Sequence, residues 1–143
     1  MLKIKFFAVM CAALLLLTGC APKDDFADYE TVEYHPVENV SAATEFEEYD
    51  GNAESIAVLL SNNSDNQFEL SDSIALEKNV DGEWRAIRII KKEYTLIYHA
   101  VSAHTEEWKR FELKDYVELP LLPGQYRIWV GGGNKVPAEF TIK

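Results

Sequence analysis

From Val40 onward the chain never sustains the three-to-four-residue apolar period of a surface helix, and turn-forming clusters interrupt it about every eight to twelve residues. That rhythm admits short strands and excludes long helices, so an all-β fold is expected. The clearest turn is Asp81-Gly82, because a two-residue type I′ hairpin needs positive φ at both central positions and these residue types tolerate it. Strands over Phe68–Val80 and Glu83–Ile90 flank it. With a strict turn, Val80 pairs with Glu83, Ile74 and Leu76 share a face with Ile87 and Ile89, and Trp84 points the other way. A bulge after Gly82 turns Trp84 inward instead.

Further alternating runs cover Ser41–Tyr49, Ile56–Leu60, Tyr94–Val101, Thr105–Leu113, Gly124–Val130 and Val136–Ile142. So many short strands in about 100 residues bury their apolar faces most economically as two packed antiparallel sheets. The expectation is a β-sandwich of about 7–8 strands over residues 41–143.

The start of the chain has another character. Lys3 and Lys5 precede an unbroken apolar run, Phe6–Leu17, followed by Thr18-Gly19. This is the pattern of a secretory signal peptide. Its twelve apolar residues fall short of the roughly 20 needed to cross a bilayer. Leu17-Thr18-Gly19-Cys20 resembles the lipobox of bacterial lipoproteins. The resemblance implies cleavage after residue 19 and a diacylglyceryl thioether on Cys20, which would hold the protein on the membrane, on the outer leaflet of the cell membrane in a Gram-positive cell. Two acyl chains contribute on the order of 20 kcal/mol of gross burial, enough for stable anchoring. Cys11 leaves with the signal, so no intrachain disulfide is expected.

Loss of residues 1–19 removes two lysines and no acid, leaving 12 basic against 24 acidic side chains and a net charge of −12. Such a surface repels phosphate backbones, which argues against nucleic-acid binding. Residues 20–40 carry Asp24, Asp25, Asp28, Glu30, Glu33 and Glu38 against Lys23 and lack periodicity. They read as an acidic tether; as a flexible coil it would hold the domain about 25 Å from the lipid. The alternative is that Tyr29–Tyr34, alternating as YETVEY, adds an edge strand.

The most specific local pattern is LPGQYRIWV, Leu122–Val130. It resembles the tyrosine corner of immunoglobulin-like domains, where a tyrosine hydroxyl bonds backbone a few residues upstream. Tyr126 is the matching position. With LLSNNSDNQFEL, IALEKNVDGEWRAI and the closing AEFTI, the chain resembles a family of bacterial immunoglobulin-like domains from about Val40 to Ile142. The resemblance implies the fold and an envelope address but no activity. The chain departs from the pattern at Leu119-Pro120-Leu121-Leu122, which is more apolar than expected before the corner.

No catalytic set, cofactor-binding pattern or metal-ligand spacing assembles. His99 and His104 are five apart and fall on opposite faces of a strand. His35 lies in the tether. Asp65, Asp72, Asp81 and Glu83 could meet at one sandwich end, but no glycine-spaced calcium loop accompanies them. Gly131-Gly132-Gly133-Asn134-Lys135 lacks the spacing of a phosphate loop and precedes a strand. It reads as a flexible hairpin loop joining the last two strands; the alternative is a functional loop, because loops at a sandwich end are where such domains bind partners. If Tyr126, Ile128 and Val130 face in, Arg127 and Trp129 face out, as does Trp108 if Phe111 and Leu113 are buried. These three are candidate interaction residues; Trp129 stacked on Arg127 is the alternative. The reading is a non-catalytic, membrane-anchored binding or structural module that meets a protein or wall polymer. An accessory or regulatory subunit of a membrane protein is the first alternative, and a polymer hydrolase using Asp81 and Glu83 is the second.

Overall fold

The computed structural model describes residues 21–28, 33–90 and 97–143. Cys20 and the residues before it lie outside these, as do residues 29–32 and 91–96. Among the described residues ten strands run in chain order: β1 Val40–Thr44, β2 Glu48–Tyr49, β3 Ile56–Asn62, β4 Phe68–Leu70, β5 Ile74–Val80, β6 Glu83–Ala86, β7 His99–Val101, β8 Thr105–Phe111, β9 Gly124–Gly131 and β10 Lys135–Ile142. A 3-10 turn at Leu113–Asp115 follows β8.

One sheet has the order β1-β3-β8 and the other β2-β10-β9-β5-β6, with β4 and β7 forming a short separate pair. Pairing is antiparallel except between β2 and β10. The expected sandwich is present. Its core is made by inward positions at period two: Ile56, Val58, Leu60 and Phe111 from one sheet, and Leu76, Tyr126, Ile128, Phe140 and Ile142 from the other.

Two expected strands are each split. Ser41–Tyr49 divides into β1 and β2, which belong to different sheets. Thr44 Oγ1 donates to the Phe46 carbonyl at 2.7 Å between them, a local bond that competes with the ladder. Phe46 is left exposed at the crossing. Phe68–Val80 divides into β4 and β5 at Ser71–Ser73. There Ser71 Oγ accepts from the Ser73 N–H at 3.1 Å and donates to the Gly131 carbonyl at 2.8 Å. A serine turn and a change of sheet replace the continuous strand.

The β5–β6 hairpin takes the strict register, Val80 opposite Glu83, with φ of 54° at Asp81 and 89° at Gly82. Ile87 enters the core accordingly, and Trp84 stands on the outer face of the sheet beside Arg127. The apolar loop before Tyr126 is turned inward. Leu121 is buried and its N–H donates to the Gly51 carbonyl at 2.8 Å.

The acidic segment departs most from its expected form. Phe26 forms an antiparallel bridge with Ile87 and packs against the core. The Ala27 N–H donates to Ala86 O at 2.9 Å, and the Arg88 N–H donates to Asp25 O at 2.8 Å. Residues 24–28 therefore extend the sheet beyond β6 rather than forming a free coil.

Candidate functional site

The strand directions give the sandwich two unlike ends. One holds the Asp81-Gly82 hairpin, Gly51 and the Leu119–Gly124 loop. The other gathers Val37–Asn39, Asn63–Gln67, Ser102–His104 and Gly131–Asn134, between β3 and β4, β7 and β8, and β9 and β10.

Asn62 organises this second end. It is fully buried, and its amide nitrogen donates to the carbonyls of Asn66, Val101 and Ser102 at 2.9, 3.0 and 3.2 Å. Its side-chain oxygen accepts from the Ser64 N–H and hydroxyl at 3.1 and 2.7 Å. A buried amide with its bonding capacity filled fixes the loops around it. Gly131 has φ of 143°, and a Cβ there would lie 2.1 Å from the Asn134 carbonyl oxygen. The tight turn needs glycine at that position. The Gly132 N–H donates to Glu69 O at 2.8 Å, tying the turn to β4.

These loops surround a cleft of about 410 Å³ whose walls include Glu38, Ser64, Asn66, Gln67, Glu69 and Asn134. Its polar wall offers amides, a hydroxyl and carboxylates but no cationic side chain among the described lining residues. Tyr98, 50% exposed, has a ring edge that a Cβ on Gly132 would approach to 3.2 Å. An exposed aromatic ring beside the glycine loop is what partner-binding surfaces present. At the start of β10 the Lys135 ammonium is buried and donates to the carbonyls of Ser73 and Gly131 at 3.0 and 3.3 Å. Burial pushes it down to about 8.

The Tyr126 hydroxyl donates to the Leu122 carbonyl at 2.7 Å, the bond of a tyrosine corner. Burial first and the Asp24 carboxylate second raise its pKa above the ordinary tyrosine value, so the hydroxyl keeps its proton. Trp108 is 54% exposed on the outer face of β8.

The expected exposure of Trp129 is not found: only 3% of it is exposed. It does face away from the core, but Tyr34 lies over it at 5.0 Å between ring centroids, and its indole N–H donates to Glu77 Oε2 at 2.7 Å. Arg127 bonds the same oxygen and stands between the rings of Trp84 and Trp129, at 4.3 and 4.9 Å. The returning chain around Tyr34 covers what alternation alone leaves outward. Trp108 and Trp129 belong to different sheets and form no joint patch.

The four acids do not meet. Asp72 precedes β5 and accepts from Lys109 at 2.6 Å, Asp65 pairs with His104 at 2.9 Å, and Asp81 and Glu83 are exposed at the opposite end of β5. A solvated hairpin tip gives this acid pair no cleft in which to act. His99 bonds Glu107 at 2.6 Å. Among the described residues no cluster of histidine, cysteine or acid suits a metal ion.

Sequence reasoning missed Asn62, Asp24, Lys78, Glu77 and Lys135. A signal existed for one pair: Lys78 falls on the inward phase of Ile74 and Leu76, so it required an acid from elsewhere.

Among solved structures, a β-glucosidase from Erythrobacter marinus matches 72% of this chain and 15% of its own, at 14% identity and a TM-score of 0.42. A β-glucosidase from Listeria innocua in complex with gluconolactone matches 72% and 16%, at 19% identity and 0.38. The chain thus spans only about a sixth of these proteins. No curated protein matches it. The sequence model of the bacterial Ig-like domain matches residues 36–141, the same stretch that holds the two sheets and the tyrosine corner, and the chain belongs to that family.

Proposed function

We propose that the protein is a lipid-anchored, non-catalytic binding module of the bacterial envelope, whose partner docks at the sandwich end built around Asn62. The observation that carries this reading is the cleft of about 410 Å³ framed by loops that Asn62 and Gly131 hold in place. Preorganised loops lose little freedom on binding. The surplus of acids and the acidic wall favour a neutral or basic protein surface over an anionic polymer. The signal-like start and Cys20 support placement outside the cytoplasm on a lipid anchor.

The immobilised domain is expected to retain one defined envelope protein, and Asn134→Arg to abolish retention by filling the cleft. Glu83→Arg, at the other end, is expected to leave it unchanged. Equal retention by all three proteins removes the cleft from the reading.

A further inference from the structure

We propose that Pro22–Asp28 is a built-in clamp that seats the sandwich close against the bilayer and turns its Gly131–Asn134 end outward as the partner face; this orientation rests on the lipid reading of Cys20. The clamp is held along its length. Asp24 receives two hydrogen bonds from the Lys78 ammonium at 2.8 and 2.9 Å, and both side chains are largely buried. Phe26 enters the core edge, with the Arg85 guanidinium 3.9 Å from its ring centroid. Arg88 holds Asp25 at 3.0 Å, Asp28 at 3.2 Å and the Phe26 carbonyl at 3.1 Å.

The direction of entry follows from the neighbours of the first residues. Pro22, Lys23, Asp24 and Asp25 share a groove with Glu118 and the Leu119–Leu122 loop, which leads directly into Gly124 at the start of β9. The chain therefore arrives at the end opposite the cleft. From Cys20 to Asp24 four peptide steps reach at most about 14 Å. A free coil ending at Val40 would allow far more. From Gly124, β9 carries the fold eight residues to Gly131, roughly 23 Å. The Leu119–Gly124 end is thus kept near the lipid and the cleft stands a sandwich length above it. A partner that reaches the cleft must present its surface at that height, as an extracytoplasmic domain does and a headgroup does not.

The test uses the full lipidated chain in phosphatidylglycerol and phosphatidylethanolamine vesicles carrying a headgroup acceptor dye. A donor is attached through Glu118→Cys or Asn134→Cys. Energy transfer from position 118 is expected to exceed that from 134 several-fold. A ten-residue Gly-Ser insertion between Ala21 and Pro22, which leaves every clamp contact intact, is expected to bring the two positions together. Ala27→Pro, which removes the N–H bonded to Ala86, is expected to act in the same direction. Equal transfer from the two positions in the parent chain overturns the orientation while the anchor stands. A chain that fails to float with the vesicles overturns the anchor, and the orientation with it.

Discussion

The carboxylate of Asp24 and the ammonium of Lys78 form a two-fold hydrogen-bonded pair at 2.8 and 2.9 Å, although 54 positions separate them in sequence. Their side chains are 19% and 9% exposed. Lys78 projects from the inner face of β5 toward the Tyr126 ring, 5.4 Å from its centroid. Without Asp24 it would be a cation in the core.

Asp24→Asn is therefore expected to destabilise the domain by about 3 kcal/mol, because removing one partner of a buried pair strands the other. Lys78→Met in the same chain is expected to recover most of the loss. Urea unfolding of the two single variants and the double variant checks both. Parent-like stability of Asp24→Asn would mean that the segment is not docked in solution.

This pair also shows how far the sequence could be read. The strand rhythm, the Asp81-Gly82 hairpin and the Tyr126 corner are local signals, and each is where local chemistry put it. Alternation assigned Trp129 to the correct face but could not reveal its exposure, which depends on Tyr34 returning across the sheet. The acidic stretch hid its role for the same reason. Asp24 and Phe26 gain meaning only from Lys78 and Ile87, whose approach is a tertiary event. The glycine loop reads locally as a hairpin connection, and nothing local in LLSNNSDNQFEL marks Asn62 as the residue that ties the neighbouring loops together.

Lys135 predicts a rise of stability with pH. Burial lowers its native value to about 8 from 10.5, so below pH 8 both states hold the proton and the burial penalty is fully present. Between pH 8 and 10.5 the unfolded chain binds a proton that the native chain does not, and stability increases. Between pH 7.5 and 9.5 the expected gain is about 2 kcal/mol, absent in Lys135→Met. Tyr126 has the opposite sign: its raised native value makes stability fall once pH passes 10. Denaturant unfolding across this range separates the two groups.

Glu77 is 1% exposed, and its Oε2 serves both Arg127 and Trp129 while its buried Oε1 has no hydrogen-bond partner among the described residues. Glu77→Ala strands a guanidinium and an indole N–H, with an expected loss of about 3 kcal/mol. Glu77→Gln keeps an acceptor oxygen for both donors and is expected to cost less than half as much. Thermal unfolding followed by tryptophan fluorescence measures both.

The glycine loop predicts a contrast between neighbours. Gly131→Ala places a methyl against the Asn134 carbonyl in a backbone conformation with φ of 143°, whereas a Cβ at Gly133 meets nothing within 4 Å. Gly131→Ala is expected to lower stability by about 2 kcal/mol or more, and Gly133→Ala to change it by less than about 0.5 kcal/mol. Equal effects would show that the turn is not fixed as described.

The most direct measurement is site-specific photocrosslinking on living cells, with the reactive group placed at Asn134 in the cleft wall or at Gly82 on the opposite hairpin. A single discrete adduct from position 134, absent from position 82 and lost when Asn66→Arg is added, is the predicted result. Adducts of equal yield from both positions, or an adduct from 82 alone, would contradict the assignment of the cleft end as the partner face.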